Sequence, residues 1–126
     1  MSSAPKISVS KNVATIDFPK GWATNVAVEV KSNSSFDQHV ELDIDGSKKT
    51  VKGTGEQQSL ETISVPEGTS KLVATFSYGK DKKPSELQHG GPWDIGVMQL
   101  LMVLAENGDD EDFNDVVLQV RGVVKK

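Results

Sequence analysis

The sequence predicts an all-β fold, an antiparallel β-sandwich forming a single domain over residues 1–126. Three observations lead there. Apolar residues recur with a period of two, the spacing of a strand with one buried face. Glycine, proline and Asp-Gly turn signals break these runs at short intervals, as in sandwiches. At 126 residues the chain is long enough to bury a core without disulfides, and it has no cysteine to form one.

The elements follow in chain order. Ile7 to Val9 and Val13 to Ile16 read as two short opening strands. Val26, Val28 and Val30 alternate with polar or small neighbours. Val40, Leu42 and Ile44 do the same and end at Asp45-Gly46, a strong hairpin turn. Ser59 to Val65 is a weaker strand, stopped by Pro66 and Gly68. Leu72, Ala74, Phe76 and Tyr78 form the next alternating set, closed by Gly79. Ile95 to Ala105 is almost continuously apolar, and its leucines and methionines also suit a buried helix. Because Gly90-Gly91-Pro92 precedes it and strands dominate elsewhere, the preferred reading is a central strand buried on both faces. Val116 to Val124, rich in valine, is the last strand.

Composition excludes several classes. Without cysteine there is no zinc–thiolate site, and the redox compartment stays open. No run approaches the roughly 18 apolar residues of a membrane span, so membrane insertion is not expected. Met1 to Lys6 lacks the apolar core of a secretory signal, which makes a cytoplasmic location the default, with export by another route left open. The net charge of −4 is concentrated: residues 106–115 carry six carboxylates and no base, leaving 12 acidic against 14 basic residues elsewhere. With no basic stripe, nucleic acid is not an expected partner.

The acidic stretch carries the chemistry. Glu106, Asp109, Asp110, Glu111, Asp112 and Asp115 repel one another at neutral pH, yet the stretch lies between two apolar segments that would anchor both ends. A solvated acidic turn is what most such runs are. Here Asp110, Asp112 and Asn114 place oxygen donors at alternate positions with Asp115 adjacent, a spacing that suits a chain curling round a cation, with Phe113 directed away into the core. Hard oxygen donors without histidine or thiolate favour calcium over zinc or copper, and magnesium prefers fewer protein ligands. An EF-hand does not fit: with Asp110 in first place, Asp115 falls where glycine is needed and Arg121 where the last glutamate is needed.

The run from Glu106 to Asp115 followed by Val116-Val117-Leu118 resembles the acidic signature E-[DN]-G-x-D-x-D-[FY]-N-D of the bacterial-type calcium-mediated lectins that bind fucose and mannose (LecB-type). Two further landmarks resemble the same family in the same order. Asn33-Ser34-Ser35 is similar to its early Asn-Ser-Ser turn, and Lys83-Pro84-Ser85-Glu86-Leu87 to its basic-Pro-Ser-acidic-Leu step. The resemblance covers most of the chain from Phe18 onward. It implies an antiparallel β-sandwich holding two calcium ions side by side. Glu106, Asp110, Asp112, Asn114 and Asp115 would be the loop ligands, with Asn33 reaching in from the early turn. Sugar hydroxyls would coordinate the calcium directly, and Ser34, Ser35, Asn107, Asp110 and Asp115 would touch the sugar. The implied partners are glycans bearing fucose or mannose, with a homodimer or higher homo-oligomer as the implied assembly.

The chain departs from the family at several points. The family's chain typically ends in a glycine whose carboxylate enters a partner's calcium site, whereas this sequence runs to Val123-Val124-Lys125-Lys126, and ammonium groups beside calcium are unfavourable. Asn107 stands where an aspartate is common, Phe36 where a small residue is usual, and Asp109 is an added acid.

Other residues read as structural. His39 and His89 are far apart in sequence, and a surface or structural role is favoured for both. Trp22 and Trp93 favour core or rim packing over stacking on a sugar. Ser34 and Ser35 lack the glycine elbow and histidine of a nucleophile. Gly53-Thr54-Gly55 has neither the context nor the lysine of a phosphate loop. A carboxylate pair for glycoside hydrolysis would leave four acids unexplained, and nothing resembles a positioned general acid, so no catalytic residue is expected. The reading is therefore a non-enzymatic, calcium-dependent carbohydrate-binding protein. The alternative is a structural or adhesive β-domain in which calcium only stabilises the acidic loop.

Overall fold

A computed structural model of the chain describes residues 4–106 and 116–124, with the backbone alone at 34–36, 56, 57 and 124. Among the described residues there are nine strands and no helix. They are β1 (Lys6–Ser10), β2 (Val13–Asp17), β3 (Ala23–Ile44), β4 (Ser47–Val65), β5 (Lys71–Tyr78), β6 (Lys83–Pro84), β7 (Glu86–Asp94), β8 (Met98–Glu106) and β9 (Val116–Val124).

All pairings are antiparallel, and two sheets face each other, as the sequence predicts. The long strand β3 belongs to both. Its later part, Gln38 to Ile44, pairs with β5, which continues through β2 to β1. Its earlier part, Ala23 to Ser32, pairs with β9, which continues through β8 to β7. β4 runs beside β3 along both parts, so hydrogen bonding is continuous through the molecule. The outer strands β1 and β7 lie against each other.

The core lies between the sheets and follows the alternation. On β5, Leu72, Ala74 and Phe76 are buried while the residues between them are not. They meet Val28, Val30, Leu101, Val103, Leu118 and Val120 from the other sheet in one cluster. Burial of each large side chain such as Leu72 or Phe76 contributes about 1.5–3 kcal/mol.

The β3–β4 hairpin turns on Asp45 and Gly46, with φ of 50° and 91°, the left-handed pair a type I′ turn requires. The Asp45 carboxylate also accepts hydrogen bonds from the Ser70 amide (2.8 Å), the Ser70 hydroxyl (2.8 Å) and the Lys71 amide (3.0 Å). These bonds to Ser70, with help from Lys71, hold its pKa below the ordinary carboxylate value.

Four elements differ from the sequence reading. The strands expected around Val26–Val30 and Val40–Ile44 are one strand of 22 residues, made continuous by bulges near its middle. The weak strand expected at Ser59 to Val65 is the end of a 19-residue strand. Gly90-Gly91-Pro92 lies inside β7 and not in a break, with a register shift between Gly90 and Trp93. Among the described residues β7 pairs with β8 alone, and an outer strand tolerates a proline that has no amide to donate. The apolar run expected to be buried on both faces begins as a strand only at Met98. Leu101, Val103 and Ala105 are buried, but Leu100, Met102 and Leu104 are only partly covered. Ile95 and Val97, at 63% and 62% exposure, lie in the turn before it.

Candidate functional site

Register places the early turn and the acidic stretch together. Val116, the first residue of β9, has Ala105 of β8 as its Cα partner on one side and Ser32 of β3 on the other. Ala105 in turn pairs with Leu87 of β7. Ser32, Val116, Ala105 and Leu87 thus form a row across four strands. One residue beyond that row lie Asn33 on β3, Glu106 on β8 and Glu86 on β7. Residues far apart in the sequence are gathered at one end of one sheet, where the 107–115 connection leaves and returns.

The chemistry of this end fits a cation. Glu106 is buried at 3% exposure and engaged in a polar interaction, as a carboxylate removed from water must be. Glu86 is its direct cross-strand partner and is exposed. Like charges placed opposite each other destabilise a strand pair unless something offsets them. Asn33 is half-buried and also engaged in a polar interaction. Of the expected metal ligands, Asn33 and Glu106 are therefore brought to the same end. Asp110, Asp112, Asn114 and Asp115 lie outside the described residues, as do Asn107, Asp109, Glu111 and Phe113. Among the described residues no three of His, Asp or Glu form a group able to hold a metal ion.

Ser34 and Ser35 lie in β3, in its most irregular part. The β3–β4 register shifts between Ser32 and Ser34 and again between Ser34 and Gln38, while Ser34 pairs with Gly55. Such bulges re-aim side chains next to binding sites. The turn after β5 is fastened just beyond them: the Gly79 amide donates to the Asp37 carbonyl (2.8 Å), and His39 Nε2 lies 3.3 Å from the Gly79 carbonyl. His39 thus has the structural role expected of it, and His89 is exposed. Glu86 was not among the site residues expected from the sequence. The signal that could have found it is the acidic position in Lys83-Pro84-Ser85-Glu86-Leu87.

The two tryptophans lie elsewhere. Trp22 is buried, stacks on Phe18 with ring centroids 5.6 Å apart, and donates from its indole nitrogen to Gln99 Oε1 at 2.8 Å. With Phe18, Val26, Val65 and Pro66 it lines a cavity of about 480 Å³. Trp22 precedes β3 by one residue and Asn33 follows ten residues along that strand, so the cavity is about 30 Å from the candidate site along β3. Trp93 is 47% exposed, at the far end of β7 from Glu86. Both are packing or rim residues.

The fold is thus a two-sheet antiparallel sandwich with Asn33, Glu106 and Glu86 brought to one sheet end. The chain belongs to the fucose-binding lectin II (PA-IIL) family, whose model matches residues 16–123. As a member of that family it is a carbohydrate-binding protein. No curated protein sequence matches it. Solved structures that share its fold include three lectins. The Chromobacterium violaceum lectin CV2L, in complex with alpha-methyl-fucoside, is 23% identical with a TM-score of 0.73, over 93% of this chain and 100% of that one. A high-affinity mannose-binding lectin of Ralstonia solanacearum is 21% identical with a TM-score of 0.71, over the same shares of the two chains. The C-terminal domain of the BC2L-C lectin from Burkholderia cenocepacia is 22% identical with a TM-score of 0.71, over 88% of this chain and 96% of that domain.

Proposed function

We propose that the protein binds fucose- or mannose-type glycans through calcium held where β8 ends and β9 begins, beside Asn33 in the middle of β3. The single observation that carries this reading is the register that sets Asn33 and the buried Glu106 at one sheet end, on either side of Val116, in a chain of the fucose-binding lectin II family. The donors there are all oxygens, which suits calcium.

Asn33, Glu106, Asp110, Asp112, Asn114 and Asp115 would hold the metal, two ions in a shared site. Bound calcium supplies coordination places that neighbouring sugar hydroxyls fill in place of water. The chain's own residues do the rest. Ser34, Ser35 and Asn107 would orient the sugar, and Asp110 and Asp115 would accept hydrogen bonds from its remaining hydroxyls.

The test is retention on immobilised fucose and on immobilised mannose. In calcium the protein should stay on at least one resin, and excess EDTA should release it. Retention in EDTA rejects the proposal. If calcium raises the melting temperature while neither sugar is bound, calcium only stabilises the acidic connection and the protein is a structural or adhesive β-domain.

A further inference from the structure

We infer that Ser32 is a positioning residue for the sugar site, acting through the carbonyl of Gly55 on β4. This rests on the glycan-binding reading above and adds to it a residue that neither the acidic signature nor the early Asn-Ser-Ser turn contains.

Ser32 lies where three strands meet, paired with Val116 of β9 on one side and Gln58 of β4 on the other. Its neighbours on the same face of β3, Val28 and Val30, are fully buried, and Ser32 is too, at 0% exposure. Alternation alone would put another apolar side chain there. A hydroxyl in such a place is unfavourable unless it is bonded. Ser32 Oγ donates to the Gly55 carbonyl at 3.0 Å.

That bond crosses one of the breaks in the β3–β4 ladder. Ser32 pairs with Gln58 and Ser34 with Gly55, so two steps on β3 match three on β4, and the register breaks again before Gln38. The hydroxyl ties the two strands across this jump. Gly55 suits the close approach. Its φ of 121° disfavours any L side chain, and a Cβ there would come within 2.8 Å of Gln58 Cγ. The bond therefore adds to the Ser34–Gly55 pairing in holding β4 against the bulged stretch of β3 that carries Asn33, Ser34 and Ser35. Removing it should loosen the β3 segment that would meet the sugar.

The experiment compares wild type with Ser32→Ala, Ser32→Cys and Ser32→Thr, measuring sugar affinity in saturating calcium, calcium affinity and thermal melting. Ser32→Cys keeps the volume with a weaker donor, so it serves if the alanine variant fails to fold. Ser32→Thr keeps the hydroxyl and should restore most of the affinity. Ser32→Ala and Ser32→Cys should weaken sugar binding measurably and change the fucose-to-mannose preference. Calcium affinity should fall less than sugar affinity. If both variants melt earlier but bind sugar in saturating calcium as wild type does, with unchanged preference, Ser32 is only structural and the inference is wrong. If wild type itself binds neither sugar, the glycan-binding reading fails instead.

Discussion

Glu86 and Glu106 are direct cross-strand partners at the last rung of the β7–β8 ladder, the first exposed and the second buried. Like charges in that relation repel each other across the strand pair. They also add negative potential beside the acidic connection.

Glu86→Gln is expected to stabilise the calcium-free protein by about 0.2–1 kcal/mol, the range of cross-strand pairs, and to weaken calcium binding. Thermal melts in EDTA and a calcium titration check both signs. A lower melting temperature in EDTA together with unchanged calcium affinity would remove Glu86 from the site.

Glu106→Gln and Asp112→Ala each take one proposed ligand charge away. Both are expected to lose calcium binding, and sugar binding with it, while far-UV circular dichroism stays that of the wild-type β fold. Sugar binding at full strength in Asp112→Ala would show that the metal is placed wrongly.

Gln99→Ala tests the opposite end of the sheet. It leaves the buried Trp22 indole N–H without its acceptor, which costs about 1–3 kcal/mol. Denaturant unfolding should show that loss, and sugar affinity should not move, because Gln99 lies seven residues before Glu106 on β8.

The Asp45 staple sets a pH dependence. Hydrogen bonds from Ser70 and Lys71 depress its pKa in the folded state, so the unfolded chain binds the proton more tightly. Its stabilisation is present in full above the ordinary value of 3.8 and is lost as pH falls through the lower folded-state value. Asp45→Asn should therefore be less stable than wild type at neutral pH, and the gap should close in acid. Urea midpoints at both ends of that range check it. A gap that stays constant with pH would mean the carboxylate charge does not matter there.

The parts of the fold readable in the sequence are those with one buried face. Leu72, Ala74 and Phe76 mark β5 by alternation alone, and Asp45-Gly46 marks the hairpin by its turn chemistry. The middle of β3 is not readable in this way, since Asn33 to Asp37 carries no alternation and is held as strand by Gly55 on one side and the Gly79 turn on the other. β4 shows the same limit. Most of its first twelve residues are polar because it is an outer strand, held there by its pairing with β3 more than by burial, although Val51 reaches the core. Ile95 and Val97 mislead in the other direction, being apolar yet exposed.

The site is readable only in part. Six carboxylates in ten residues point to a cation without any structure. That Asn33 belongs with them does not follow from spacing, because its nearness to Glu106 comes from pairing Ser32 with Val116 and Val116 with Ala105. Likeness to a lectin family supplies it. Ser32 carries no sequence signal and emerges from register and burial, while Glu86 is marked only by its place in Lys83-Pro84-Ser85-Glu86-Leu87 and gains its meaning from its pairing with Glu106.

The most direct measurement is a crystal structure of the protein grown in calcium with a methyl fucoside or methyl mannoside. The account predicts metal density bounded by Asn33, Glu106 and the 107–115 connection, with sugar hydroxyl oxygens completing the coordination. Well-ordered density for that connection with neither metal nor sugar against Asn33 and Glu106 would contradict it.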